Sequence, residues 1–169
     1  QMLFNVDKCV VIHMGNINIK ANYELGGQVL KSVEQERDLG VIISNNLKST
    51  EQCILAAKKA NQILGMIRRN IKLKSKEIIV SLYKSLVRPR LEYCIQSWNP
   101  SLIKDIELLE SVQRRATKMI TGYWKYSYGT RLKLCGLTTL VERRERGDLI
   151  QTFKILKGID KVDYKKWFT

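Results

Sequence analysis

The hydrophobic pattern changes its period at Ser49, and this change constrains the fold more than any other feature of the 169-residue sequence. Before Ser49 the apolar residues lie in short, β-branched runs between turn pairs, which is typical of strands. After it they recur every three or four residues, which is typical of helices that bury one face. We therefore predict an α+β fold: a small antiparallel β-meander, residues 1–48, followed by a mostly α-helical bundle, residues 49–169.

The first part contains three candidate strand regions, each followed or interrupted by turn residues. They are Lys8–Met14 before Gly15-Asn16, the two short strands around Gly26-Gly27, and Arg37–Ser44 before Asn45-Asn46. A meander this small buries too little surface to be stable alone. We therefore expect it to complete a sheet whose other strands lie elsewhere.

Capping residues predict the helix boundaries of the second part. Capping boxes are predicted at Ser49 with Gln52 and at Thr139 with Glu142, and Ser75 is a candidate N-cap. Helices are expected to end at Gly122, Gly136 and Gly158, because glycine readily adopts the left-handed conformation. These positions divide the second part into several helices of ordinary length.

Leu82–Pro100 reads LYKSLVRPRLEYCIQSWNP and joins an apolar periodicity to cations, aromatics and two prolines. Because proline disfavours a helical residue before it, we predict a break or kink at Arg88-Pro89 and a second short helix up to Trp98. Tyr83, Tyr93 and Trp98 are interpreted as packing between helices rather than as base-stacking groups.

The sequence offers no convincing catalytic or metal-ligating set. The four cysteines (Cys9, Cys53, Cys94 and Cys135) are far apart and favour reduced, buried thiols in an intracellular protein. His13, the one histidine, lies in an apolar strand and favours a structural role. No phosphate-binding loop, signal peptide or membrane-spanning run is recognisable. Gln1 in place of methionine leads us to expect a fragment of a longer protein.

The positive charge is confined to the helical part. Residues 1–49 contain five basic and five acidic side chains, so the whole net charge of +14 comes from residues 50–169. A charge step of this kind predicts a second module with a polyanionic partner, although general solubility is the plain alternative.

Basic residues recur in clusters on four predicted helices. The clusters comprise Lys58 and Lys59; Arg68 and Arg69; Arg88 with Arg90; Arg114, Arg115 and Lys118; and Arg143, Arg144 and Arg146. Each pair alone is usually only a solvated helix face. Their recurrence, and their absence from the β-rich part, predict contact with a phosphate backbone.

Five long stretches carry a family resemblance. In order, they are VEQERDLGVIIS (Val33–Ser44), ANQILGMIRRN (Ala60–Asn70), LYKSLVRPRLEYCIQSWNP (Leu82–Pro100), DIELLESVQRRATKMITG (Asp105–Gly122) and RLKLCGLTTLVERRERGDLIQTFKILKG (Arg131–Gly158). Together they resemble the C-terminal part of the reverse transcriptase of non-LTR retrotransposons, the LINE elements of the jockey-like and chicken-repeat-like kind.

The resemblance implies roles for particular residues. Residues 1–48 would be the end of the palm, and Leu39, Gly40 and Val41 would form the core of the primer grip, the hairpin that holds the primer end. Lys8 would be an auxiliary residue near the incoming nucleotide, with a lysine that merely flanks a strand as the equal alternative. The helices from about Thr50 would be the thumb and post-thumb, gripping duplex through phosphate.

The family's catalytic aspartates do not occur in this sequence. Members carry a Tyr/Phe-Ala-Asp-Asp motif and an earlier aspartate that bind two Mg²⁺ ions, and both are expected in the parent polymerase upstream of Gln1. No polymerase activity is therefore expected from this chain alone, and we expect no small-molecule cofactor and no membrane in its function. The implied partners are an RNA–DNA or RNA template–primer duplex and the upstream palm and fingers.

Two functions remain open from the sequence. The first is the duplex-gripping part of an RNA-directed DNA polymerase, which the family places in nuclear and cytoplasmic ribonucleoprotein. The second is an element-derived remnant that serves as a helical protein- or nucleic-acid-interaction module without enzyme activity. The sequence does not identify the source element or the oligomeric state.

Overall fold

A computed structural model describes residues 4–15 and 17–163, and it has the predicted α+β fold. The chain is 56% helical, with a few short strand pairs before the helices. No helix in the described part of the chain is long and apolar enough to cross a membrane.

The strands are short and form three separate pairs rather than one continuous meander. They are β1 (Val10–Val11), β2 (Glu24–Leu25), β3 (Gln28–Val29), β4 (Lys31–Ser32), β5 (Gln35–Asp38) and β6 (Val41–Ser44). The β2–β3 and β5–β6 pairs are antiparallel, whereas β1 and β4 pair in parallel. Gly26-Gly27 forms the predicted turn between β2 and β3. Of the predicted Gly15-Asn16 turn, Asn16 lies outside the described residues.

The region predicted as one strand, Arg37–Ser44, is instead a hairpin. Leu39 and Gly40 form its two-residue turn, with φ angles of 45° and 90°. Positive φ at both central positions matches the right-handed twist of the flanking strands, which is why such turns are favoured in hairpins. A leucine at the first position gives no local signal for this turn, so the residue pattern alone predicted one strand, whereas the resemblance to the primer grip implied a hairpin here.

Seven helices follow the strands in the described part of the chain. They are α1 (Thr50–Asn70), α2 (Lys76–Leu82), α3 (Arg88–Glu92), α4 (Ile95–Trp98), α5 (Ile103–Lys118), α6 (Tyr128–Cys135) and α7 (Leu140–Leu156). Single turns of 3₁₀ helix precede β1, at Val6–Lys8, and follow α5, at Tyr123–Lys125. The helix ends predicted at Gly122, Gly136 and Gly158 are matched by left-handed glycines at these positions.

The core is built around α1 and α5, which lie side by side and run in the same direction. At their N-terminal ends the Thr50 hydroxyl donates to the Asp105 carboxylate over 2.7 Å. At their C-terminal ends Leu64 and Met119 line a shared groove. The core side of α1 is formed largely by small residues, which lets the neighbouring helices approach closely: Cys53, Ala56, Ala57 and Ala60 are all fully or almost fully buried.

One predicted capping box forms and the other does not. Thr139 and Glu142 exchange both hydrogen bonds at the start of α7. Ser49 precedes α1 without a side-chain cap, and its backbone (φ −84°, ψ 3°) lacks the extended conformation usual for an N-cap. The Gln52 side chain does not complete the box either, because it accepts a hydrogen bond from the Ile42 backbone N–H over 3.0 Å. This bond joins α1 to β6. Ser75 caps α2 as predicted.

The predicted break at Arg88-Pro89 is a π-helical turn, Tyr83–Val87, between α2 and α3. Pro89 then lies in the first turn of α3, where a missing N–H costs little. The backbone stays in the helical region at Leu82, Val87 and Arg88, so the break is a change of helix type and not a loop. The second short helix predicted up to Trp98 is α4.

Two of the three aromatic side chains in Leu82–Pro100 pack in the core, as predicted. Tyr83 is 1% and Trp98 5% exposed. Tyr93 differs, because it is 53% exposed and its hydroxyl donates to the Leu39 carbonyl over 3.0 Å. It anchors the hairpin tip to the helical part rather than filling the core.

The four cysteines are free thiols, but only two are buried. Cys53 and Cys135 fit the prediction, Cys9 is half-buried, and Cys94 is exposed. Cys94 has a φ angle of 50° and lies between α3 and α4, where its backbone reverses the chain and turns its side chain outward. His13 lies beyond β1, because the strand predicted over Lys8–Met14 is only Val10–Val11, and its Nε2 is 3.1 Å from the Ser32 hydroxyl.

Candidate nucleic-acid interface

The C-terminal halves of α1 and α5 enclose a groove of about 430 Å³ that carries three of the predicted phosphate-binding residues. Arg68 from α1 and Arg115 and Lys118 from α5 line it. Its other lining residues are Asn61, Leu64, Gly65 and Met119, so the groove presents cations above a largely uncharged floor. The parallel packing of α1 and α5 brings together residues that are about fifty positions apart in sequence.

The same cations also have a structural role. The C-terminal end of a helix carries partial negative charge, and cations in the last turn stabilise it. Arg68 and Arg69 lie in the last turn of α1, and Arg115 and Lys118 in that of α5. Compensation of two adjacent helix ends therefore accounts for part of this positive charge. Compensation of helix ends does not explain, however, why Arg68, Arg115 and Lys118 line the same cavity.

Two lysines missed by the sequence analysis extend this end of the molecule. The loop between α1 and α2 contains Lys72 and Lys74, and the Lys74 carbonyl accepts from the Thr121 N–H over 3.0 Å. This bond holds the loop against the turn that follows α5. The lysines lie outside the regular helices, and only a count of local charge could have identified them.

The remaining predicted cations of α1 divide between two sides of the helix. At about 100° per residue, Lys58 lies roughly 80° around the axis from Arg68, whereas Lys59 lies about 180° away. Lys58 and Arg69 are exposed, and each lies about a quarter turn around the helix axis from Arg68. Lys59 is half-buried on the other flank and does not join the groove.

Arg114 lies on a different side of α5 from the groove. Its guanidinium carbon is 5.1 Å from the centre of the Tyr128 ring, and that of Arg131 is 5.6 Å from the same ring. Arg131 is buried and donates to the Tyr126 carbonyl, so it stabilises the turn before α6. Arg114 remains exposed and can reach a phosphate beside the aromatic segment.

Arg88 and Arg143 converge on one carboxylate and not on solvent. Arg143 donates two hydrogen bonds to Glu92, the second over 3.0 Å, and Arg88 lies 3.8 Å from the same carboxylate. The hydrogen bonds to Glu92 raise the pKa of Arg143. This ion pair ties α7 to α3, so the prediction of a free phosphate-binding arginine at position 143 requires correction.

Arg144 also departs from the prediction, because it is only 4% exposed. Its desolvation lowers the pKa of the guanidinium, partly offset by Glu110 and other nearby acidic groups. Helix α7 turns this side of the Glu-Arg-Arg-Glu-Arg run towards the core. The run has no apolar stripe that could have shown which arginine faces inward.

The predicted primer-grip residues form the tip and the first strand residue of the β5–β6 hairpin. Leu39 is 82% exposed and Val41 is buried, with Gly40 between them. A non-glycine residue at positive φ costs about 1 kcal/mol or more, so Leu39 is held in a strained conformation by its surroundings. The Tyr93 hydroxyl supplies one such restraint. The Leu39 side chain is therefore exposed to a ligand while its backbone is held in place.

Lys8 is exposed and ends the 3₁₀ turn before β1. It follows Asp7 directly and has the position of a lysine that flanks a strand, so its role near a nucleotide stays a prediction.

The described residues contain no group of three or more His, Cys, Asp or Glu side chains that could hold a metal ion. The donor set of a two-magnesium centre is therefore not present in residues 4–15 and 17–163, and no chemical step is assigned to a metal here.

Comparisons with protein families, with curated proteins and with solved structures find no match for this chain.

Proposed function

We propose that this chain binds the sugar-phosphate backbone of an RNA–DNA or RNA template–primer duplex, as the palm-end and thumb part of a non-LTR retrotransposon reverse transcriptase. The groove between α1 and α5 is the single observation that carries the proposal. Its three cations have no carboxylate among the groove's lining residues, so their charge is available to an anionic ligand.

Phosphate contacts explain why the groove needs charge but no base-reading groups. Arg68 and Arg115 can each donate several hydrogen bonds to phosphate oxygens, and Lys118 adds a point charge. Lys72, Lys74 and Arg69 surround this end of the molecule and extend the positive field. Such a surface binds without strong sequence preference and with a steep dependence on salt.

The hairpin tip supports the same function from the other part of the chain. Leu39 offers an exposed apolar side chain, and Tyr93 fixes the position of the tip relative to the helices. A rigid tip of this kind suits contact with a strand end more than a flexible loop would. The motif Leu39-Gly40-Val41 is also the part of the sequence that resembles the primer grip.

The binding test uses fluorescence anisotropy with a labelled RNA–DNA hybrid and the full chain. A variant in which Arg68, Arg115 and Lys118 are all changed to Gln removes three phosphate contacts. We expect the slope of log affinity against log salt concentration to fall by about two to three, measured between about 50 and 200 mM salt. Circular dichroism checks that the variant remains folded.

A matched control removes the same charge from the β-rich part. Lys20, Lys31 and Lys48 are exposed there, and changing all three to Gln gives the same net charge as the groove variant. The control is expected to keep most of the salt slope. Equal losses in the two variants would mean that net charge, and not the groove, binds the duplex. Salt-independent binding by the unmodified chain would contradict the proposed function altogether.

An apolar stripe on α7 favours the second candidate, a protein-interaction module. Leu149, Phe153 and Leu156 lie one turn apart and are 72%, 56% and 50% exposed. Exposed apolar stripes of this kind often mark contact with another polypeptide. Under this alternative, Phe153→Asp would abolish capture of a partner while duplex binding stayed unchanged.

A further inference from the structure

A second and larger cavity, of about 840 Å³, lies between the β5–β6 hairpin and α4. One wall is formed by β6 and the loop before α1, and the other by α4 and the turn into α5. Its lining contains one acidic and one basic side chain, Asp38 and Lys48, so it carries no net charge. This cavity is chemically unlike the cationic groove and does not suit a polyanion.

Among the residues that the structure describes, no strand pairs with the edge of β6 that faces away from β5. Asn45 N–H donates to the Glu34 carbonyl over 2.8 Å, which fixes the alternation of hydrogen-bonded pairs along the hairpin. By this alternation the backbone groups of Ile42 and Ser44 point to the outer edge. The Ile42 N–H is bound by Gln52, and the Ser44 carbonyl by the Leu47 N–H. The Ile42 carbonyl and the Ser44 N–H have no partner among the described residues.

The Ser44 side chain adds an independent sign of a missing partner. Ser44 lines the cavity and is 8% exposed. Within residues 4–15 and 17–163, its hydroxyl oxygen is the one buried side-chain nitrogen or oxygen without a hydrogen bond. A buried hydroxyl left unpaired costs about 1–3 kcal/mol, so such groups are usually satisfied by a ligand, a water or a partner chain.

The geometry points to an extended peptide segment as the occupant: we propose that the cavity between β6 and α4 accepts a strand of a partner polypeptide that adds to the free edge of β6. In a parallel pair, one residue of the incoming strand bonds two groups of its neighbour: its N–H donates to the carbonyl of one residue, and its carbonyl accepts from the N–H two positions later. The Ile42 carbonyl and the Ser44 N–H have this spacing. The Ser44 hydroxyl lies beside them and gives a third contact.

The occupant is an uncharged strand with small apolar side chains. Leu39, Leu47 and Leu102 line the cavity and are 82%, 71% and 41% exposed, so they offer apolar surface to alternate side chains of the incoming strand. The β6 edge of a second copy does not fit, because in each copy that edge lies inside the cavity behind α4. Strand addition also gives β5–β6 the third strand that a lone hairpin lacks.

The test uses the full chain with Cys9→Ser, so that Cys94 is the accessible thiol and lines the cavity. An environment-sensitive fluorophore on Cys94 reports binding of a neutral nine-residue peptide of alternating Val and Thr. Hydrogen exchange at the Ser44 amide is measured in parallel on the unlabelled chain. We expect saturable binding and at least tenfold slower exchange at Ser44.

The control peptide carries a methyl group on every backbone nitrogen and so lacks the N–H groups that strand addition needs. Equal affinity of both peptides, or binding without protection of the Ser44 amide, would assign the cavity to apolar packing alone and overturn the proposal. No saturable binding at millimolar peptide would also overturn it. None of these outcomes depends on duplex binding, so this site and the proposed function are tested separately.

Ser44→Ala distinguishes a binding role from a structural one. We expect the variant to bind the peptide about fivefold more weakly, through loss of one hydrogen bond. Without peptide its stability should be equal or higher, because an unpaired buried hydroxyl is removed. Ser85→Ala is the matched control, since Ser85 is exposed and bonds only within its own helix. A less stable Ser44→Ala chain with unchanged peptide affinity would contradict the assignment.

Discussion

Gln113 is a single buried residue that connects three parts of the helical bundle. Its side chain accepts from the Tyr83 hydroxyl over 2.7 Å and donates to Glu110 and to the Thr138 carbonyl. Glu110 in turn accepts from the Leu140 N–H over 2.9 Å and from Tyr128. This network fixes the start of α7, and it is buried enough that each lost bond leaves a polar group without water.

Replacing Gln113 with Leu is therefore expected to be severely destabilising. The change leaves the Tyr83 hydroxyl and the Thr138 carbonyl unpaired and weakens Glu110, which together should cost about 3 kcal/mol or more. Urea unfolding followed by circular dichroism measures the loss. Gln62→Leu on the exposed side of α1 is the control, with an expected change within about 0.5 kcal/mol. A loss below about 1 kcal/mol for Gln113→Leu would mean that the network forms no such constraint.

Cys53 predicts how stability changes at alkaline pH. Burial is the main reason that the pKa of its thiol is raised from 9.0 to about 11, with the nearby Asp105 carboxylate adding to the effect. Because the folded chain holds the proton more tightly, this contribution is fully present below pH 9. It is lost as pH rises towards 11, where the unfolded chain ionises first.

We expect the free energy of unfolding to fall by about 1 kcal/mol between pH 8 and pH 10 through Cys53 alone. Other buried groups, Cys135 and the tyrosines 83 and 128, also have raised pKa values and add to the fall. Cys53→Ala isolates the first contribution, since its stability curve should be flatter by that amount. Parallel curves for the two proteins would show that Cys53 ionises equally in the folded and unfolded chains.

At the scale of single elements, the two predicted capping boxes provide a matched pair. Thr139→Ala removes a cap that exists, and we expect it to cost about 1 kcal/mol in chemical unfolding. Ser49→Ala removes a hydroxyl that caps nothing, and its cost should be a few tenths of that value. Equal costs would show that the Ser49 hydroxyl caps α1 in solution, contrary to the uncapped start of α1 in the structure.

The same comparison shows what the sequence could predict. The sequence predicted the structure correctly where the contacts lie between residues close in sequence. Examples are the capping box of Thr139 and Glu142 and the helix end at the left-handed Gly136. Local signals failed where a distant group competed. Gln52 has the right spacing for a capping box, but the Ile42 N–H, ten residues earlier, takes its side chain. The residue pattern gives no turn at Leu39, because a strained leucine is stabilised there by Tyr93, fifty-four residues away; only the resemblance implied this hairpin.

The sequence predicted which cations belong to the candidate site, but not how they are arranged on the surface. The helical spacing identified Arg68, Arg115 and Lys118 as cations off the apolar stripes, and their convergence depends on the parallel packing of α1 and α5. Arg143 and Arg144 looked equivalent to them in sequence. Only the rotation of α7 about its axis, set by the α3 and core contacts, binds one to Glu92 and buries the other.

At the scale of the whole molecule, burial is distributed unevenly between the two parts. No residue among positions 4–15 and 17–40 is buried, whereas Val41 belongs to the same core as α1 and α5. Strands β1–β4 are two residues long and have few buried contacts to lose. The hairpin β5–β6 is different, because Val41, Ile42 and Leu39 each contact the helical part.

This distribution predicts a graded response to truncation from the N-terminus. Removing residues 1–33 should lower the free energy of unfolding by only about 1 kcal/mol, because it exposes no core residue. Removing residues 1–48 should cost a further 2 kcal/mol or so, since Val41 leaves the core and the Gln52 side chain loses the Ile42 N–H. Urea unfolding followed by helical circular dichroism measures both steps. The prediction would be contradicted if the shorter deletion alone unfolded the helices. Strands β1–β4 would then stabilise the bundle through contacts other than core burial, and the boundary between the two parts would lie closer to the N-terminus.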